Sequence, residues 1–454
     1  MTAAVHRMSR AARAELTREH LVEAARLLFA ECGYRSVSLR DIAREAGVSH
    51  PALLRHFSGK QELLAHALSR VDEEAGALTG AATGPRGELA FSAVAARNDA
   101  IPGYLPLFAG LVGEASVAGH PAHDTMRAHG DRFLHAATAA IIAAARGGAV
   151  GPGRHADGEA VRLMAAWDCL QVMQLYLPDR VDTAAAVARH ERLLAFPAGW
   201  REPAAAPGAR GWTARADRGG EGVRDAGADR DGERGAGAGT RSTSAAPPPN
   251  GAEPESPAGY RTGRARRARI LDDAMTLFAQ EGYADTSLRE IAARVGVSKS
   301  ALYHHFPSKD ALLLAVLEER DRRIDAATAA LQARGAAARL RALPLSADEN
   351  AHRQPGLVEV YAVLSCEAIP ATHPAHAHFA RRFARALDTF EALLRAAAAA
   401  GDLSAHRDPA HEAAWLLALW DGLQYRWLYD RDGIDVGAHL RAHLRDVLPG
   451  EGAC

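Results

Sequence analysis

The sequence predicts an all-α protein made of two tandem helical units. Three observations predict it. Apolar residues recur at helical spacing along most of the chain, while runs of Val, Ile and Thr suited to strands are scarce. Much of the 48% hydrophobic content is Ala, a strong helix former, and aromatic residues are only 6%. One pattern of two short helices joined by a turn occurs twice, at 38–60 and at 287–309. The length of 454 residues exceeds what one compact core holds, so several domain-sized units are expected.

Residues Met1 to about Ala14, with Arg7, Arg10 and Arg13, read as a mobile basic arm. From Leu16 to Cys32 the positions Leu21, Ala24, Ala25, Leu28 and Phe29 trace one helix face, and Gly33 ends it. Ser38 and Asp41 form a capping box, each side chain serving a free backbone N–H at a helix start. Ala46-Gly47-Val48 turns the chain, and Ser49 caps a second short helix running to Phe57. Pro51 is tolerated there because the first N–H groups of a helix have no partner to lose. Lys60 opens a longer amphipathic helix through Leu63, Leu64, Ala67, Leu68 and Val71.

Gly76–Gly87 is a small-residue break, and helical patterns follow around Tyr104–Ala118, Asp131–Arg146 and Asp157–Tyr176. Residues 197–260 change character, to Gly, Pro, Ala, Arg and Asp with hardly an aliphatic side chain. Such a segment cannot bury enough apolar surface to offset its ordering entropy and reads as a disordered linker. A coil of ~60 residues has a root-mean-square span of roughly 40–45 Å.

The pattern then restarts. Ser287 and Glu290 form the matching capping box, Leu288, Ile291 and Ala292 face inward, and Gly296 breaks the helix. Ser298 caps a helix that carries Lys299, Ser300, Tyr303, His304 and His305 outward, with Leu302 and Phe306 inward. Two helices joined by a Gly-containing turn are the mark of a helix-turn-helix, whose second helix enters the major groove. Tyr34 and Tyr283 lie 249 positions apart, as do Phe57 and Phe306. Later, Glu114 to His123 matches Glu367 to His376, and Trp167-Asp-Cys-Leu-Gln171 matches Trp420-Asp-Gly-Leu-Gln424, both at an offset of 253. One whole two-domain unit is therefore duplicated; this is not a solenoid of short repeats.

Net charge is −1, so the total gives no electrostatic sign of nucleic acid, although local patches set that footprint. Cys32, Cys169, Cys366 and Cys454 lack metal-type spacing and read as reduced thiols. No signal peptide or membrane span is legible, which points to a cytoplasmic protein. No acid/base pair, activated nucleophile or phosphate-cradling Gly loop assembles, so catalysis has no candidate and no cofactor is implied.

Both copies resemble the TetR family of transcriptional regulators. The second carries the pattern most fully: Leu277-Phe278, Gly282-Tyr283, Thr286 to Ala292, Gly296-Val-Ser298, Leu302 to Phe306 and Lys309. The resemblance implies, in each copy, a three-helix DNA-binding domain (15–75 and 264–324) and a helical ligand-binding and dimerisation domain (76–196 and 325–450). By position it puts DNA contacts on Arg40, Ser49, His50, Pro51, Arg55, His56 and Lys60. In the second copy they fall on Arg289, Ser298, Lys299, Ser300, Tyr303, His304, His305 and Lys309. The first copy departs at Leu54, where the family usually has Tyr, and at His50-Pro51.

The function implied is a repressor that a small molecule releases from its double-stranded DNA operator. The two units would pair within one chain as a pseudo-dimer or with their twins in a homodimer. The alternative is a helical ligand- or protein-binding regulator in which only the second helix-turn-helix reads DNA. Arg261, Arg264, Arg266, Arg267 and Arg269 suit phosphate tracking or a solubilising tail. His120/His123 and His373/His376 suit helix capping better than a metal, since no third ligand has a recognisable spacing. Glu114 and Glu367 read as paired structural carboxylates or ligand anchors. Trp167, Gln171, Trp420 and Gln424 read as core, dimer interface or pocket wall.

Overall fold

The computed structural model describes residues 9–74, 84, 87–201, 257–329, 335–353, 355–448 and 450. Among them are eighteen helices, nine in each copy. The first copy supplies α1 (Arg10–Cys32), α2 (Leu39–Glu45), α3 (His50–Leu53), α4 (Lys60–Glu74), α5 (Phe91–Ala100), α6 (Tyr104–Glu114), α7 (His123–Arg146), α8 (Ala156–Tyr176) and α9 (Thr183–Leu194). The second supplies α10 (Pro257–Asp285), α11 (Leu288–Val295), α12 (Lys299–His305), α13 (Lys309–Ala329), α14 (Ala336–Arg353), α15 (Pro355–Glu367), α16 (His376–Ala399), α17 (Pro409–Tyr429) and α18 (Val436–Val447). The all-α expectation holds.

Several boundaries differ from the sequence reading, among them the end of α3, which stops at Leu53 and not at Phe57. Helix α1 begins at Arg10, so Arg10–Ala14 is helical and not an arm, because Ser9 accepts from the Ala12 N–H at 3.1 Å and caps it. Arg7 lies outside the described residues. The expected linker is shorter at both ends. Trp200 packs on Phe196 and His406 with ring centroids 5.1 and 4.8 Å away, and residues 257–260 begin α10. Residues 202–256 lie outside the described residues, as does most of Gly76–Gly87. The arginines from Arg264 to Arg269 lie on α10, where Arg267 stacks over the Phe306 ring at 5.0 Å.

Both copies share one compact unit, Met1–Glu202 with Ala265–Cys454, and its centre is the packing of α8 against α17. Helix α8 is buried on all sides from Leu163 to Met173 apart from Asp168, and α17 is buried from Trp415 to Leu428. A helix apolar all round belongs in an interior. Helices α7 and α16 flank this pair, and α6 lies against α15. Two contacts obey a pseudo-two-fold axis. The Tyr176 hydroxyl donates to the Ser365 carbonyl at 2.7 Å, and Tyr429 donates to the Val112 carbonyl at 3.0 Å.

Other contacts across the copies have no mirror image. Arg426 pairs with Asp168 at 2.5 Å, but Met173 occupies the position corresponding to Arg426. Asp446 takes Arg154 of the first copy at 3.1 Å beside Arg407 of its own copy at 2.7 Å, and its counterpart is Leu193. A Cβ on Gly113 would collide with the Ala362 carbonyl and crowd Cys366 Sγ, yet Cys366 itself stands in the place of Gly113. The halves have diverged to fit each other.

Candidate nucleic-acid interface and body cavity

The second reader is built from its caps outward. Ser287 accepts from the Glu290 N–H at 3.2 Å while the Glu290 carboxylate accepts from the Ser287 N–H at 2.7 Å. Gly296 takes φ +74° at the end of α11, a left-handed turn that β-carbon-bearing residues resist. Ser298 then accepts from the Ala301 N–H at 3.1 Å and starts α12. Leu302 and Phe306 anchor that helix in the core, which leaves Ser298, Lys299, Ser300, Tyr303 and His304 exposed along one row, with His305 half-buried. Arg289 is exposed on α11.

In the first reader α3 is a single α-helical turn. Ser49 caps it through the Ala52 N–H at 3.3 Å, and Arg55 and His56 follow in tighter i→i+3 bonding. The Arg18 guanidinium donates to the His56 carbonyl at 2.8 Å, so the helix end is satisfied from α1. Arg40, Ser49, Pro51, Leu54 and Arg55 are exposed, and His50 and His56 are half-buried. Lys60 and Lys309 are each half-buried, with the ammonium 4.2 Å from the ring centre of Tyr34 or Tyr283. They donate to the carbonyls of Arg35 and Ala284 at 3.3 and 3.2 Å.

Behind the readers lie Glu114 and Glu367, both buried. Glu367 accepts from the N–H groups of Tyr283 and Ala284 at 2.6 and 2.7 Å, which fastens the second reader to its body. Glu114 makes no such pair. Its nearest cation is Arg35, 3.9 Å away, and Arg35 also reaches the Glu281 carbonyl and Asp285 of the other reader. Burial first, and the charge of Glu367 next, push the Glu114 carboxyl up to about 8. Replacing Glu367 by Ala is expected to raise amide exchange at Tyr283 and Ala284 at least tenfold and to cost ~1–3 kcal/mol, read by hydrogen exchange and urea unfolding.

The His-Pro-Ala-His pairs hold the turns between helices. His120 and His373 accept from the N–H groups of Ala122 and Ala375 at 3.1 and 3.2 Å, and His123 Nδ1 lies 2.8 Å from the Ala115 carbonyl. Among the described residues no group of three or more His, Cys, Asp or Glu is arranged to hold a metal ion. Burial, the largest cause in each case, pushes His120, His411 and His443 down to about 3, and His373 and His439 to about 4. The unfolded chain therefore takes up protons first as pH falls. Their stabilising contribution is complete above the unfolded value near 6.5 and is lost below it, by of order 1 kcal/mol per histidine over the first pH unit. Glu114 works in the other direction, its contribution being present below its unfolded value and lost as pH rises through about 8. Urea midpoints are expected to fall on both sides of neutrality.

A cavity of about 380 Å³ opens in the second body among α13, α14, α16 and α17. Trp420 and Gln424 line it; Trp167 and Gln171 belong to the first body, and all four side chains are buried. Glu114 and Glu367 lie at the reader junctions and outside its lining. Sequence reasoning missed Arg35, Arg320, Arg382 and Arg426. Their signal was available, because each stands where the other copy has Ala284, Val71, His129 or Met173. Among the described residues no helix is long and apolar enough to cross a membrane.

Two capped helix-turn-helix readers carried on paired helical bodies define a duplicated DNA-reader architecture. Residues 21–67 and 270–316 each match the family described as bacterial regulatory proteins, tetR family. The chain therefore carries a segment similar to this family twice. It is 42% identical over 74 residues to the transcriptional repressor KstR of Mycobacterium tuberculosis, covering 16% of this chain and 34% of that protein. It is likewise 42% identical over 62 residues to the repressor Rv1474c of the same organism, covering 14% and 33%. The chain thus spans about a third or less of the curated relatives it matches. A TetR-family regulator structure from Agrobacterium tumefaciens aligns over 41% of this chain and 99% of its own, at 24% identity and a TM-score of 0.37.

Proposed function

We propose that this protein is a sequence-specific transcriptional repressor that pairs its two readers within one chain and leaves its operator when a small molecule binds. The observation that carries the reading is the exposed row Ser298, Lys299, Ser300, Tyr303 and His304 on a helix anchored by Leu302 and Phe306. Lys299 supplies phosphate contact, and the tyrosine, serine and histidine edges supply base contact. Pairing within the chain is supported by the one-sided contacts of Arg426 with Asp168, Asp446 with Arg154, and Cys366 with Gly113. A homodimer through either copy alone would lose the partners of these residues or crowd two of them together.

Readers that differ at His50/Lys299, Pro51/Ser300, Leu54/Tyr303 and Arg55/His304 predict an asymmetric operator. Selection of bound oligonucleotides by the intact chain, with light scattering of the complex, tests this. One chain on an asymmetric site is the expected result; two chains on a palindrome would sink it. The single-turn α3 and the exposed Leu54 favour a second reading, in which only the second reader contacts bases. Selection would then return one conserved half-site.

A further inference from the structure

We propose that the second half alone carries the ligand site of this chain, and that its ligand is a small organic anion with a flat apolar body. The proposal rests on the ligand-released reading above and names the ligand class and its place. The cavity has the size of small-molecule sites. Phe390 and Trp420 form one wall, their rings 6.3 Å apart and 23° from parallel, with Leu393 and Leu417 beside them. Arg320 and Arg382, also on the lining, each stack over the Tyr361 ring, at 4.1 and 4.8 Å from its centre. Four guanidiniums border the cavity (Arg320, Arg339, Arg382 and Arg385) against two carboxylates, Asp321 and Asp421. Asp321 is already engaged by Arg320 at 3.1 Å and Arg382 at 3.7 Å, and Asp421 accepts from the Tyr361 hydroxyl at 2.7 Å.

Hydrogen-bonding capacity is also left over at the wall. The donor Arg320 Nε and the acceptor Gln424 Oε1 have no hydrogen-bond partner, although both residues are only 3% exposed. Buried donors without partners mark a place where a ligand or water completes the bonding. An anion answers both the charge excess and the free Arg320 N–H.

At several of the corresponding positions in the first half, larger or already paired side chains stand. Phe133 stands where Ala386 lines the cavity, and it lies edge-on to Trp167 at 5.6 Å and against Phe91 at 6.2 Å. His129 and Val71 stand in the positions of Arg382 and Arg320. Asp168, the counterpart of Asp421, is consumed by Arg426. Binding is therefore one-sided, and it acts on α13, which starts at Lys309 within the second reader and reaches Arg320 roughly 16 Å further along.

Calorimetry and tryptophan fluorescence of the intact chain, with benzoate, 2-naphthoate and indole-3-acetate as probes beside their primary amides and the matching amines, test the site. Carboxylates are expected to bind once per chain, amides at least tenfold more weakly, and amines not at all. Ala386→Phe, which copies a packing the first half already tolerates, should abolish binding, and Arg382→Gln should weaken it at least tenfold. Two sites per chain, equal binding of amines, no carboxylate binding at millimolar concentration, or an unaffected Ala386→Phe would each overturn the proposal. Carboxylates that bind once but leave the operator complex intact would instead overturn the ligand-release reading and leave the site standing. Release by amines alone would do the reverse.

Discussion

Replacing Lys299 and Tyr303 together by alanine is expected to weaken operator binding roughly 30- to 1,000-fold, the sum of a lost phosphate contact and a lost base contact of about 1–3 kcal/mol. Both side chains are exposed, and their only mutual contact is the Lys299 ammonium 5.5 Å from the Tyr303 ring centre. The fold rests on Leu302 and Phe306 beneath them, so thermal unfolding should stay within a degree or two. Lys299→Ala alone should lower the salt slope by about one counterion, because the slope counts neutralised phosphates. The matching change in the first reader, His50→Ala with Leu54→Ala, should cost less, since α3 presents a single turn. Fluorescence anisotropy at fixed salt decides the matter. A double variant within threefold of the parent would show that α12 does not read this DNA.

The second large effect is structural. Gly422→Leu is expected to remove more than ~3 kcal/mol of stability, at or above the usual cost of overpacking a core. A Cβ at Gly422 would collide with the Ala165 carbonyl on the facing helix. Neither backbone can step aside, because α8 and α17 are each enclosed by other helices along most of their length. Gly110→Ala is the contrasting control. Its Cβ would meet nothing within 4 Å, so the change should be neutral or should stabilise by ~0.5–1 kcal/mol through helix propensity. Urea unfolding of both variants makes the comparison. If Gly422→Leu unfolds at the parent midpoint, the halves are not packed as tightly as this interface requires.

Much of the fold was legible because its signals are local. The capping residues Ser38, Ser49, Ser287 and Ser298 each cap the helix the sequence assigns to them, since a cap depends on residues three positions apart. The early start of α1 was missed because arginine and alanine suit a helix and a solvated arm equally, and Ser9 decided between them. Of the candidate residues in the bodies, Trp420 and Gln424 line the cavity while Trp167 and Gln171 belong to the first body, and all four are buried. The two copies read nearly alike at these positions, and the difference comes from neighbours at Ala386 and Phe133.

The sequence by itself determined that the chain is helical, that it holds one unit twice, and that each unit begins with a helix-turn-helix whose outward residues differ between copies. Repetition and helical period are properties of spacing along the chain, so they survive without coordinates. Only the tertiary structure decided which charges meet. Arg426 finds Asp168 and Arg35 finds Asp285 across separations of 258 and 250 residues, and Glu367 closes on the backbone of the second reader while Glu114 closes on nothing equivalent. The physical reason is that a buried charge takes its partner from whatever the fold brings within a few ångströms. Two related halves packed face to face can therefore share contacts unequally.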